Sequence, residues 1–457
     1  MGIRATDRRG RSGRILLIAM AGAWAPALEA QASGYQLREQ SATAQGNAFA
    51  GAAAGGDDMS AMFFNPASMT QFTGDGAALH LSYIAPRVEL DGAAASTVLG
   101  TPIAGNASDD NAAVTVLVPA LYGMWQASED WRVGLSVNVP FGLETDYSRD
   151  WVGRYQAVGS QVKTINVSPQ VAWRATPWLS LGAGIQAQYI DATLSNAVDF
   201  GTIGRAAGIS AAVPGSRSQD GFSEVQGDDW GYGYSLGAVA EPVDGTRIGL
   251  SYRSRVEHGL KGDAAFDLGS SGVGTALAAA TGAFRDTGAS AAVTTPASLS
   301  IGVRQRVSPE WTVMGGLEWT EWSVFDELRI EFDNAAQSDS VTREDWKDTW
   351  FASLGATYRP ADSPWTFRAG VAYDQAPLDT GNRTPRIPDG DRYWLSAGAS
   401  YQPTPWLSVT AAYTHLFVAD AELDLGTSDT GSTFRGNLTG NYESSVDIVA
   451  VSARLLF

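Results

Sequence analysis

Thr176-Pro177-Trp178-Leu179-Ser180 and Thr404-Pro405-Trp406-Leu407-Ser408 are one five-residue sequence placed twice in the chain. Each is a short polar turn running into a tryptophan. The same device, less strictly spelled, stands at Asp130-Trp131, Glu310-Trp311 and Pro364-Trp365, and Asp244-Gly245-Thr246 is a sixth turn without the tryptophan. Tryptophan favours the membrane–water boundary, so the six turns are expected along one membrane surface. Roughly 40 to 70 residues separate neighbouring turns, room for two spanning strands and a loop at the opposite surface. Six short turns imply seven long loops and 14 strands, an even number as bacterial barrels have.

Between the turns the residues alternate. Val449, Val451, Ala453, Leu455 and Phe457 fall on one face of the last segment, and Ala450, Ser452, Arg454 and Leu456 on the other. Ala297, Leu299, Ile301 and Val303 likewise oppose Ser298, Ser300, Gly302, Arg304 and Arg306. A soluble sandwich alternates in the same way, so the turn spacing and the tryptophans carry the choice of a transmembrane barrel with its apolar face outward. Candidate strands begin near residues 76, 113, 130, 160, 178, 228, 246, 291, 310, 346, 365, 391, 406 and 442. Closure pairs every edge, and the terminal Phe457 fits the aromatic ending of such barrels.

Composition agrees. The 457 residues include 51 Gly, 15 Trp and 15 Tyr. The longest run without Asp, Glu, Lys or Arg, Tyr393 to Ala419, is split by Pro403 and Pro405 and is not a membrane helix. Residues 1–32 read as a secretory signal peptide. Arg4, Arg8, Arg9, Arg11 and Arg14 precede an apolar stretch from Ile15 to Leu28, and Ala30-Gln31-Ala32 suits cleavage before Ser33. Removing it takes the net charge from -18 to -21, with 26 basic and 47 acidic residues left, which opposes nucleic-acid binding through a basic surface. Cysteine is absent, so disulfides and thiolate metal sites are excluded.

Residues 33–75 do not read as a strand. They are rich in Gly, Ala and Ser, with short helices expected near Ser41–Phe49 and Asp58–Phe63. Tyr35, Phe49, Phe63, Phe64 and Phe72 are too many aromatics for a solvated tail, and a segment of this length suits a plug for a 14-strand lumen. The expected architecture is all-β: a 14-stranded antiparallel transmembrane β-barrel over 76–457, plugged by an N-terminal hatch with short helices.

Several motifs bear a family resemblance. They are Ser33-Gly34-Tyr35-Gln36-Leu37-Arg38-Glu39, Gly46-Asn47-Ala48-Phe49-Ala50-Gly51, Phe63-Phe64-Asn65-Pro66-Ala67, Gly142-Leu143-Glu144-Thr145-Asp146-Tyr147 and Trp151-Val152-Gly153-Arg154-Tyr155. On these the mature chain resembles the FadL/TodX family of outer-membrane hydrocarbon transporters. The resemblance implies an N-terminal hatch and sideways release of ligand into the bilayer through an opening at a kinked third strand. Pro140, Phe141 and Gly142 are the candidate lateral gate, since Pro removes a ladder donor and Gly weakens the strand. Tyr35, Leu37, Phe49, Phe63, Phe64, Asn65, Pro66 and Ala67 are the candidate hatch and ligand contacts.

A greasy ligand needs apolar surface at its entry. Phe200, Ile203, Ile209, Val213 and Phe222 in one long loop, and Phe266, Leu268, Val273, Leu277 and Phe284 in another, supply it or pack the two loops together. A carboxylate ligand needs a cation. Arg253, Arg255, Arg304, Arg306 and Arg454 fall on expected lumen faces, with Arg253 and Arg304 the candidate carboxylate partners, unless lumen acids such as Glu318 already pair with them. The three histidines lie far apart and no His-Glu-x-x-His metalloprotease motif is present, so neither catalysis nor a cofactor is expected. The acid pairs Asp57-Asp58 and Asp228-Asp229 read as solvated, and no metal is assigned. The expected function is passive uptake of long-chain fatty acids across the Gram-negative outer membrane by a monomer surrounded by lipid and lipopolysaccharide. Uptake of aromatic or other hydrocarbons is the alternative within the family. An aqueous porin or a structural or adhesive barrel is the alternative outside it.

Overall fold

The computed structural model describes residues 34–108, 112–427 and 433–457. The signal peptide and Ser33 lie outside the described residues. Fourteen antiparallel strands form the wall: β1 Gly76–Ser96, β2 Val116–Gln126, β3 Trp131–Asn138 resuming at Gly142–Asp146, β4 Gly159–Thr176 and β5 Leu179–Val198. They continue with β6 Gly221–Val243, β7 Thr246–Arg253 resuming at Val256–Asp267, β8 Thr287–Thr295 resuming at Ser298–Arg306, and β9 Trp311–Thr320. The last are β10 Thr349–Tyr358, β11 Trp365–Asp374, β12 Arg392–Thr404, β13 Leu407–Val418 resuming at Ala421–Leu425, and β14 Asn437–Leu456. Each strand pairs with its sequence neighbour, and β14 pairs back onto β1 from Gly76↔Leu456 to Ser96↔Asn437. Closure leaves the sheet without a free edge at its ends, as a bilayer requires.

Thirteen of the expected strand starts are thus met within a few residues, and β6 begins seven residues earlier than expected, at Gly221. Side chains alternate as the pattern demands. Val449 and Val451 are exposed on the outer face while Ala450 is buried. Trp125, Trp131, Trp178, Trp311, Trp365 and Trp406 stand exposed beside the short turns, and Trp230, Trp350, Tyr393 and Phe417 stand exposed nearer the loop end. These are two aromatic belts, one at each interface. In the first Thr-Pro-Trp turn the Thr176 hydroxyl accepts from Leu179 N at 3.0 Å, which closes the turn locally.

Ala297 departs from expectation. It is buried rather than lipid-facing because β8 breaks at Pro296-Ala297, where proline cannot donate to the ladder. Arg255 follows a similar break in β7 and sits half-exposed beside Glu321, and Arg306 is exposed at the turn end with Asp244. Neither is enclosed in the lumen.

The N-terminal segment, residues 34–75, lies against inward faces of the wall. It holds two short α-helices, Ala42–Gln45 and Ala61–Phe64, and two 3-10 turns, Ala52–Ala54 and Pro66–Gln71. These touch β3 to β8 and β12 to β1, most of the circumference.

Candidate functional site

Asn65 fixes the segment. Its side-chain amide donates to the carbonyls of Ala53 at 2.6 Å, Ala238 on β6 at 3.1 Å and Leu250 on β7 at 3.2 Å. Its carbonyl oxygen accepts from Ala67 N at 2.9 Å, which caps the turn that Pro66 begins. One fully buried side chain therefore ties the segment to itself and to two strands.

Glycine makes this close seating possible. A Cβ built on Gly182, Gly237, Gly249, Gly302, Gly355, Gly370 or Gly398 falls inside 3.0 Å of the segment, mostly of its backbone. On the remaining strand of this arc, the Cβ of Gly316 falls 3.3 Å from Gly51 N. β5 to β12 thus give one glycine each, and Gly182↔Gly237, Gly249↔Gly302, Gly302↔Gly316 and Gly355↔Gly370 are direct register partners. Only glycine lets two backbones approach so closely. The sequence carries this signal as inward-parity glycines within about seven residues of a short turn, which the reading by alternation alone passes over.

The gap in the wall lies at β3. It pairs with β2 from Leu121↔Val137 to Gln126↔Arg132, then meets that neighbour again only at the Ala113↔Thr145 bridge. Between these, Val116 to Ala120 pair with β1 but with no residue of β3 among the described residues. Pro140, Phe141 and Gly142 form the bend, and Thr164 holds it, its hydroxyl accepting from Phe141 N and donating to Phe141 O. Residues 35–40 stand directly inside as a strap. Leu37 N donates to Pro140 O and Gly142 N to Tyr35 O, both at 2.8 Å, so Gln36 and Phe141 form an antiparallel bridge. The Gln40 side chain donates to Val139 O at 2.6 Å.

Aromatic rings flank the strap. Tyr35 packs against Trp322 at 4.8 Å, and against Phe141, Phe325 and Trp346 within 6 Å between ring centres. Leu37 joins Val116, Val118, Phe351 and Trp394 in the central apolar cluster, as does Phe49. Phe63 and Phe64 meet edge to face at 5.0 Å.

The two candidate lumen arginines differ. Arg253 donates to Gln186 Oε1 and Phe63 O, both at 2.7 Å, and stacks over the Phe63 ring at 4.4 Å, with no carboxylate in contact among the described residues. Arg304 pairs with Asp57 at 3.2 Å. Asp57 also binds Arg359 and Arg368, each at 2.8 Å, so the acid that read as solvated is an ion-pair hub. Burial acts to raise its pKa, but the three guanidiniums outweigh that and hold it well below the usual carboxylate range. Glu318 pairs with Arg38 of the strap instead.

At the loop end is a cavity of about 340 Å³. Leu194, Phe266, Phe284, Ile330 and Phe332 give it apolar walls, and Arg386 and Arg435 give it two cations that the sequence reading missed. Arg386 donates to Ser160 Oγ at 2.9 Å and Gly159 O at 3.1 Å; Arg435 donates to Thr342 and Ser340 hydroxyls. Neither has a carboxylate within 4.0 Å among the described residues. Burial, then repulsion from Arg435, pushes Arg386 down to about 9, and burial pushes Arg435 down to about 10, with Glu344 acting the other way on both. Burial pushes the nearby Glu344 up to about 8. An electrostatic environment that destabilises two guanidiniums favours an incoming anion. Phe200, Ile203, Ile209, Leu268, Val273, Leu277 and Phe284 pack loop against loop, Val213 is exposed, and Ile203, Phe266 and Phe284 border the cavity.

A family model described as outer membrane protein transport protein (OMPP1/FadL/TodX) matches residues 23–457. A putative outer membrane protein of Neisseria meningitidis is 32% identical over 444 residues, covering 93% of this chain and 95% of that one. The long-chain fatty acid transport protein of Escherichia coli K12 is 29% identical over 420 residues, 88% of each chain. The crystal structure of a Pseudomonas aeruginosa FadL homologue aligns with a TM-score of 0.83 at 28% identity, over 93% of this chain and all of that one.

Proposed function

The chain belongs to the outer membrane protein transport family (OMPP1/FadL/TodX), whose members are transporters, and from that premise we propose that it takes up long-chain carboxylic acids across the outer membrane. Its place is the outer membrane and its cargo is hydrophobic. The observation that carries the acid over a plain hydrocarbon is the pair Arg386 and Arg435, without a carboxylate within 4.0 Å among the described residues, in a cavity with apolar walls. Guanidinium groups bind carboxylates through directed, charge-assisted hydrogen bonds, while the apolar wall takes the alkyl chain. Arg253 is a second station deeper in the lumen. Arg304, committed to Asp57, is the weaker candidate of the two named from sequence.

In this reading residues 33–75 are the hatch. The ligand passes from the loop cavity towards Tyr35, displaces the strap, and leaves sideways past Pro140, Phe141 and Gly142 into lipid. The filled lumen opposes an aqueous porin. Fourteen strands closed on themselves support a monomer, with lipopolysaccharide against the loop-end aromatic belt.

The acid reading predicts a selective defect. Arg386→Gln with Arg435→Gln should weaken binding of a fluorescent long-chain acid by about tenfold or more, since hydrogen bonds to charged groups contribute roughly 1.5–3 kcal/mol. Binding of the matching long-chain alcohol should hold. Unchanged acid binding, or equal losses for both ligands, would rule out a carboxylate site here.

A further inference from the structure

A second cavity, of about 250 Å³, lies towards the short-turn end, between the hatch and the strands β11 to β14. Short turns mark the periplasmic surface in such barrels. Its lining is unlike that of the loop-end cavity. Pro364 is the one apolar residue, and the rest are hydroxyls, Gln402, two acids and three arginines.

The arginines are Arg359, Arg368 and Arg454. The two acids are already engaged: Asp57 by Arg304, Arg359 and Arg368, and Asp58 by the hydroxyls of Thr43 and Ser60. Donor capacity is left over. Arg368 is 5% exposed, and its Nε–H has no partner among the described residues; the same holds for the Nε–H of Arg454. Arg454 otherwise donates to Asp57 O at 3.0 Å. A buried donor left unpaired is costly, and an anion accepting from both guanidiniums would remove that cost.

We propose that this cavity binds a small oxyanion of the phosphate class. Several convergent N–H and O–H donors suit a group with several acceptor oxygens. The absence of an apolar wall excludes the tail of the transported acid, so this site is separate from the uptake reading. Half-exposed Arg359 places it within reach of the periplasm. Thr43 comes from the hatch, whereas Ser452 and Arg454 come from β14, so the anion would bridge plug and wall. A free phosphate ion and the phosphorylated head of an inner-leaflet lipid offer the same chemistry.

Calorimetric titration of the detergent-purified full protein with inorganic phosphate, at constant ionic strength in chloride, tests this. Saturable binding at one site is expected. Arg454→Gln should weaken it about tenfold or more, and Ser452→Ala, which leaves every charge in place, should weaken it less. Arg255→Gln, on the loop side, should leave it unchanged. Competition by glycerol 3-phosphate would point to a lipid head as the source, and its failure to compete to the free ion. No saturable phosphate binding by the unmodified protein, or equal losses in the Arg454 and Arg255 variants, overturns the proposal.

Discussion

A Gln36→Cys, Phe141→Cys protein is expected to transport no long-chain acid while its disulfide stands, and to recover uptake on reduction. Gln36 and Phe141 oppose each other between two backbone hydrogen bonds, those of Leu37 to Pro140 and Gly142 to Tyr35. A pair flanked in this way has its Cα atoms about 4.5 Å apart, within the span of a disulfide. The chain has no other cysteine, so the link is unambiguous. Without it, the strap is held by two backbone bonds worth about 1 kcal/mol each, by the Gln40 contacts, by the packing of Tyr35 and Leu37 and by the Arg38–Glu318 pair, all of them reversible. With it, the strap cannot leave the gap. The alternative exit runs into periplasmic water, where each methylene of the ligand forfeits about 0.8 kcal/mol. Ligand binding at Arg386 and Arg435 should persist in the oxidised protein. Uptake at the normal rate by the oxidised protein would show that ligand leaves through the turn-side end and that the lateral route is wrong.

Asn65→Leu should yield a barrel that inserts but does not hold its plug. Leucine is close to asparagine in size and has no polar atoms. The carbonyls of Ala53, Ala238 and Leu250 and the N–H of Ala67 all lose their Asn65 partner. The Ala53 carbonyl and the Ala67 N–H lie outside the ladder and cost about 1–3 kcal/mol each when left unpaired, a large sum against one short segment, while Ala238 and Leu250 lose only an additional donor. The wall ladder is untouched, because Asn65 acts on it only through carbonyl oxygens. Gly237→Val should do the same by overlap, since a Cβ there strikes the Asn65 side chain. Both variants should reach the outer membrane, become cleavable by protease within residues 34–75, pass ions in planar bilayers, and take up acid poorly. If both keep a protected segment and normal uptake, Asn65 is not the anchor.

The wall was legible because its physics is local and periodic. Turn chemistry, tryptophan at the interface and alternation set strand number and facing, and the misplaced Ala297 lies where Pro296 breaks the period. Aromatic content set residues 33–75 apart from the strands, and the Asn65-Pro66 pair marked a turn within them. The charges were not. Asp57 joins Arg304, Arg359 and Arg368, residues 247 or more positions away, and no pattern in the sequence links an acid to cations so remote. Arg386 and Arg435 were missed for the same reason: they sit in aperiodic loops, and the cavity between them exists only once several loops converge.

The glycine arc across β5 to β12 also bears on size. Barrel diameter is set mainly by strand number, so a wall of more strands would be wider at every height. Eight glycines instead thin the wall at one level, each removing the inward thickness of a side chain where the hatch backbone passes. The lumen gains a waistband of extra room without another hairpin. On the loop side of that level, inward side chains such as Arg253 and Phe351 again pack against the segment and its apolar cluster. A fourteen-strand wall can therefore house a folded segment of some forty residues and remain tight around it.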